Sequence, residues 1–419
     1  MADVTIEKQA ATGLHARLTR TFAALRYGNY RLWFLGQLGS LVGTWMQSTA
    51  EGFLVFELTN SPAYLGYVGF AAGVPSWLFM LFGGVVADRF PRRNLIMLTQ
   101  SAMMVLAFIS AALTFTQLIQ PWHIIALAFF LGIANAFDAP ARQAFVLELV
   151  NREDMGNAIA LNATMFQMAT VVGPSIAGIT YALVGPAWCF TINGFSFIAV
   201  IAALWRMKLE ATPSRIRTRS AWTELRDGLK YVVGHPVIRT LLGVAGVTSL
   251  FGLAFVTLMP AWAVTILGGD ATTNGLLQSA RGLGALSAAL MIASLGRFQW
   301  KGKLMTLGMF AFPLSLFLFA NVTQLWISLV ILICAGWSFM VLFNLANILI
   351  QQSVSDELRG RVMAIYSLTF FGLMPLGALW AGFFAEHFGE PATVMLGAGI
   401  TLVFGAFVFW KIPQVRKLQ

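Results

Sequence analysis

Four ionisable residues interrupt the long apolar runs of this 419-residue chain: Glu51, Asp138, Arg142 and Arg281. An ionised group at mid-bilayer costs about 2.5–3.5 kcal/mol even on lenient insertion scales, so each is expected to face a cavity or a partner. Asp138 and Arg142 stand four apart and share one helical face. Pro140 between them loosens the helix, and a structural ion pair steadying that kink fits the spacing as well as a gating role. Glu51 and Arg281 have no local partner, but their depths are similar, which suits pairing across a central cleft. A carboxylic acid in a partly dry cleft, with a cation competing for it, can load and release a proton. Glu51 is therefore read as the leading proton carrier and Asp138 as the second. The plainer alternative leaves Glu51 in contact with vestibule water alone.

A second concentration of charge is Gly84-Val-Val-Ala-Asp88-Arg89-Phe-Pro-Arg92-Arg93, a tight turn between two apolar runs. Several charges cannot lie in hydrocarbon, so this turn is expected at a membrane face. A basic loop that only sets orientation explains the arginines but not Asp88 among them. Asp88 near a helix terminus can accept from backbone N–H groups or pair with an arginine, latching two helix bundles together.

The elements that carry these residues are legible from hydropathy. The chain is 58% hydrophobic and 11% charged, the composition of a helical membrane protein. Apolar runs fall near 32–57, 63–87, 95–117, 122–147, 157–182, 185–206, 237–267, 275–295, 304–320, 324–350, 363–384 and 392–411. Each is long enough to cross about 30 Å of hydrocarbon as a helix. The period-two segments of a barrel are absent. Of the 27 Lys and Arg, all but Arg142 and Arg281 fall on one side if the amino end is cytoplasmic, the positive-inside pattern. The net charge of +10 thus reflects topology and anionic lipid, not a nucleic-acid partner. Cys189 and Cys334 lie within spans without a Cys or His cluster, so neither a metal nor a disulfide is expected. The sequence Gly296-Arg-Phe-Gln-Trp-Lys-Gly302-Lys303-Leu304 is one residue too long for a phosphate loop, and no other cofactor site stands out.

Five segments follow: 1–30 a cytoplasmic stretch, 31–206 six spans, 207–236 a linker, 237–411 six spans, and 412–419 a tail. In the linker, Trp222, Leu225, Leu229 and Val232 recur at helical steps beside Arg226, Asp227 and Lys230, an amphipathic surface helix. The two halves repeat. A shift of 204 pairs Val150 with Val354, Glu153 with Glu357, Gly156 with Gly360, Ala160 with Ala364, Gly173 with Gly377, Ala177 with Ala381 and Gly178 with Gly382. Paired six-helix repeats are a build of secondary transporters, with substrate near the midplane.

These features resemble the major facilitator superfamily over nearly the whole chain. Gly84, Asp88, Arg89, Arg92 and Arg93 resemble its signature loop, with Pro91 in place of the usual glycine. The second copy, around Arg297 and Lys301, has Gly296 where Asp88 stands. Gly173, Pro174 and Gly178 are similar to the antiporter motif of drug-exporting members, with Ala169 and Ala177 replacing two glycines. Asn29-Tyr-Arg-Leu-Trp-Phe, Phe137-Asp-Ala-Pro-Ala-Arg-Gln143 and Ala187-Trp-Cys-Phe190 resemble the branch of bacterial siderophore exporters and macrolide-type efflux proteins.

The resemblance implies an all-α fold of twelve transmembrane helices in two bundles related by a pseudo-twofold axis. It implies a cytoplasmic gate of the signature-loop residues with Glu148 as a partner, and a cavity lined by Gln37, Gln47, Asn135, Asn344 and Asn347. Interhelical hydrogen bonding explains those amides equally well. The expected activity is proton-coupled export of a small amphipathic compound by a monomer in a bacterial inner membrane, with protons and lipids as its other partners. A dedicated siderophore exporter and a non-transporting sensor remain the alternatives.

Overall fold

A computed structural model describes residues 22–207, 221–296 and 298–418. Most of the linker's first part, 208–220, and Arg297 of the second loop copy lie outside the described residues. The long helices are α1 Gly28–Thr59, α2 Pro62–Arg89, α3 Arg92–Phe115, α4 Pro121–Val146, α5 Met155–Val184 and α6 Pro186–Arg206. After the surface helix Ala221–Gly234 come α7 Pro236–Ile266, α8 Ala271–Leu295, α9 Lys301–Ala320, α10 Leu325–Ser353, α11 Asp356–Phe388 and α12 Glu390–Lys411. Proline opens α2, α4, α6 and α7, where a missing N–H goes unnoticed.

By length and apolarity, ten of these helices among the described residues can cross a membrane, or eleven with the bent α2 counted. The expected twelve falls short at α1, which is 32 residues long but carries a polar stripe: Gln37, Ser40, Thr44, Gln47 and Glu51. α7 also departs from expectation. It is interrupted by π-helical turns at Thr248–Gly252 and Trp262–Ile266, which no composition signal announces.

Helices α1–α6 pack chiefly on one another, as do α7–α12, and the sets meet along α2 with α11 and α5 with α8. Residues paired by the 204 shift do matching work. Gly178 on α5 abuts Ala271 and Thr272 at the start of α8, while Gly382 on α11 abuts Pro62 and Gly66 at the start of α2. Gly173 lies against α1 at Val42 and Trp45, and Gly377 against α7 at Ser249 and Leu250. Gly185 and Gly389, the same shift apart, both take positive φ (92° and 82°) in the turns after α5 and α11, a conformation that favours glycine.

One end of the molecule gathers the basic residues: Arg89, Arg92, Arg93, Arg152, Arg206, Lys301, Lys303, Arg359 and Arg361. The opposite end, at the 59–62, 184–186, 267–271 and 388–391 turns, carries Glu57, Asp270, Glu386 and Glu390. The hydrophobic core divides accordingly. At the basic end, one cluster around Trp33, Phe145 and Leu204 belongs to the first set, and another around Leu241, Leu345 and Tyr366 to the second. At the opposite end one cluster joins Phe53, Leu54 and Phe190 to Ala261 and Ala271 across the sets, beside another around Trp262 and Phe319 that belongs to the second set alone.

The surface helix joins the second set. Val232 enters its core, and Arg361 of α11 reaches Asp227 at 3.4 Å. Leu229 is more than half exposed on the protein surface, free to meet lipid as the apolar face of a membrane-surface helix does.

Candidate functional site

The ionisable residues separate into three environments. The first centres on a buried carboxylate. Asp138 on α4 accepts from the Thr99 hydroxyl (2.7 Å) and the Gln100 amide (3.1 Å) of α3, and its other oxygen lies 2.5 Å from Arg142 Nε. Every one of these partners belongs to the first set. The carboxylate is fully enclosed, while Arg142 keeps partial exposure. The network ties α3 to α4 beside Pro140, as the structural reading of the pair requires.

The second environment is the basic end. Arg92 pairs with Glu148, joining the start of α3 to the end of α4. Arg93 donates to the Trp205 carbonyl at 2.9 Å, joining α3 to α6. Pro91 separates α2 from α3, so the signature turn presents its arginines from the first turn of α3. The described contacts of Arg92 and Arg93 run within the first set, and Arg92 takes Glu148, the partner that the resemblance implied. Asp88 is half-buried at the end of α2, and Arg89 is exposed. Arg26 and Tyr27 add a clasp on Asp154, at 2.6 and 2.8 Å, that draws the chain ahead of α1 onto the start of α5. Sequence reasoning missed it, because residues 127 and 128 apart give no local signal.

The third environment is the seam between the sets. On α1, Gln47 accepts from Asn193 of α6 at 2.7 Å, and Glu51 follows one turn later, half-buried. Gln37 is buried with its carbonyl oxygen unpartnered. On α8, Gly275, Ser279 and Gly282 face α5, where Ser279 donates to the Val171 carbonyl at 2.7 Å and meets Ser175 at 2.7 Å. Gly284 faces α10. Leu276, Leu283 and Leu290 are exposed on the lipid side. At 100° per residue, Asn274, Gln278 and Arg281 fall opposite those leucines, on the inward face. Asn274 and Gln278 were not singled out from sequence, although their four- and three-residue steps to Arg281 were a usable signal.

Among the described residues, no ion pair joins Glu51 to Arg281, so the pairing that their depths suggested is not made in this arrangement. Asn135, Asn344 and Asn347 are half-buried on α4 and α10, and Asn347 accepts from Gln351 at 2.5 Å. Gly173, Pro174 and Gly178 bring α5 against both α1 and α8, so the antiporter-like motif lies where the sets touch.

Two helical sets of repeated build with a polar seam between them are the architecture of secondary transporters. The family model described as transmembrane secretion effector matches residues 19–418, and the chain belongs to that family. It is similar to the Staphyloferrin A transporter of Staphylococcus aureus (strain NCTC 8325 / PS 47), 24% identical over 90% of this chain and 94% of that one. It is also similar to the multidrug efflux pump Tap of Mycolicibacterium fortuitum, 25% identical over 90% and 94%. The solved nucleoside transporter NupG matches the fold with a TM-score of 0.73 at 14% identity, covering 91% of this chain and 98% of that one. The protein is thus a multi-pass transporter of the siderophore and drug-efflux branch of the major facilitator superfamily, rather than an enzyme.

Proposed function

We propose that this transporter exports a small amphipathic compound across a bacterial inner membrane in exchange for protons, by alternating access. Twelve spans form two bundles about a pseudo-twofold axis, with both termini cytoplasmic and the chain working as a monomer. The equivalent roles of Gly178 and Gly382 support the axis. The distribution of charge supports the orientation, since the basic end then faces the cytoplasm.

The observation that carries the mechanism is the seam. A core shared by the sets joins them at the acidic end, beside one of the second set alone, whereas at the basic end each set keeps its own, the arrangement of an inward-facing state. Glu51, half-buried on the inner face of α1, is the leading proton carrier, with Asp138 second and Arg142 as its partner. The Gly84, Asp88, Arg89, Arg92, Arg93 and Glu148 group gates the cytoplasmic side by holding the ends of α2, α3 and α4 as one body. A proton is a sufficient driving force. One charge moving down about 100 mV releases ~2.3 kcal/mol, and each pH unit adds ~1.4 kcal/mol.

Everted vesicles supplied with a panel of drugs and siderophores, with the pH gradient imposed or collapsed, test this reading. Uptake is expected only with the gradient, and Glu51→Gln is expected to abolish proton-driven exchange while leaving the protein in the membrane. Uptake indifferent to collapse removes the proton, and full activity of Glu51→Gln removes its assignment. The similarity to the Staphyloferrin A transporter favours a second reading, a dedicated siderophore exporter, in which only one compound of the panel is taken up.

A further inference from the structure

The inward face of α8 holds polar groups that have no partner and are all of one kind. Asn274 is fully enclosed; its carbonyl oxygen accepts from Gln278 at 3.2 Å, which leaves the Nδ2 protons unused. Two turns on, Arg281 Nε is buried without an acceptor, and among the described residues no carboxylate pairs with its guanidinium. Both orphans are hydrogen-bond donors on one stripe about 10 Å long, the rise over seven residues. A buried donor left unmade costs about 1–3 kcal/mol, and more when it is charged. A chain that keeps two of them on one helical face has a use for the acceptor that fills them.

Glu51 is the nearest candidate counter-ion by depth. It lies eight residues from the end of α1, and Arg281 ten from the start of α8, roughly 12 and 15 Å along their helices. The two are nonetheless unpaired among the described residues, where Gln47, one turn before Glu51, accepts instead from Asn193 of α6. Toward α5 the stripe is flanked by Gly275, Ser279 and Gly282, and toward α10 by Gly284, and neither of those helices contains an Asp, Glu, Lys or Arg.

We infer that Asn274, Gln278 and Arg281 form a subsite for an anionic oxygen group, most simply a carboxylate, and that the exported compound carries one. This rests on the transport reading above and specifies its cargo. The planar guanidinium takes the two oxygens, and the Asn274 amide fixes their orientation. Because a site built of donors leaves them unpaired when the acceptor is missing, a neutral or cationic analogue is rejected.

The test uses the purified full-length chain and three fluorescent probes that share one apolar ring system: dansylglycine, its neutral amide and the cation dansylcadaverine. The wild-type chain is expected to bind dansylglycine at least tenfold more tightly than either of the others. Arg281→Gln and Asn274→Asp are expected to erase that preference, and Arg281→Lys to keep part of it. Each variant is checked for the wild-type elution volume and helical content, so that loss of preference is not loss of fold. A wild-type chain that favours the amide or the cation overturns the inference, as does an Arg281→Gln chain that still favours the carboxylate. Since binding is read without vesicles, such a result leaves the exporter reading to be judged by the uptake panel alone.

Discussion

The carboxylate of Glu386, near the end of α11, accepts a 2.6 Å hydrogen bond from the Ser61 hydroxyl at the start of α2. The same oxygen lies 3.2 Å from the Ala63 backbone N–H. An acid from the second set thus sits at the positive end of a helix from the first, where unsatisfied N–H groups and the helix dipole favour negative charge. The bond crosses between the sets at the acidic end, where a shared core joins them.

Removing that carboxylate is expected to loosen closure. Glu386→Ala gives up one or two charge-assisted bonds, about 1.5–3 kcal/mol each before water replaces part of them. About 1.4 kcal/mol already shifts a two-state equilibrium tenfold. In a background with Cys334 replaced, a thiol at Ala378 on the α2-facing side of α11 reports the change. Its labelling from the acidic face should rise several-fold in Glu386→Ala and less in Glu386→Gln; unchanged labelling would show that the bond does not hold the seam.

Close packing along the same helices yields a steric test. A Cβ on Gly66 would sit 2.8 Å from the Ala378 carbonyl oxygen, and one on Gly382 would sit 2.7 Å from Gly66 Cα. Backbone atoms cannot yield at those distances as a flexible side chain would. Gly382→Leu is expected to be made in normal amounts, to expose the Ala378 thiol, and to lose transport. Normal uptake by this variant would mean that the seam need not close here.

The Asp138 network makes a different prediction, on stability. Breaking a buried ion pair from one side strands the other charge, at a cost of about 3–5 kcal/mol. Asp138→Leu should therefore lower the midpoint of thermal unfolding in detergent, and Asp138→Asn with Arg142→Gln should recover much of the loss. If the single variant melts like the parent but fails only in proton exchange, Asp138 carries protons and the structural reading is wrong.

Asp88→Asn separates gating from orientation. The arginines remain, so insertion and abundance should match the parent, while export falls to background. Transport at the parental rate would leave the turn with a topological role alone.

Much of this architecture is written in local patterns. Apolar runs of membrane length, proline at helix starts and a one-sided distribution of Lys and Arg each follow from what hydrocarbon tolerates, and each is a property of contiguous residues. The 204-residue repeat anticipated Gly178 and Gly382 as equivalent contacts, because only a residue without a Cβ lets two helix backbones meet. The Asp138–Arg142 pair was also readable, since four residues make one helical turn.

What a linear pattern could not carry was which face meets which. Glu51 and Arg281 match in depth, yet depth does not bring two side chains together; rotation of α1 and α8 about their axes does, and packing sets that rotation. Glu148 was legible as a partner for the signature loop, but only the folded chain showed that Arg92 takes it while Arg93 turns to the Trp205 carbonyl. The Ser61–Glu386 bond joins residues 325 apart, and the unfilled donors of Asn274 and Arg281 became visible once neighbours were known. Composition and periodicity determined that this chain would cross the membrane many times in two similar halves. Side-chain contact between distant segments, which exists only after packing, decided where the halves close and which polar groups are left for cargo.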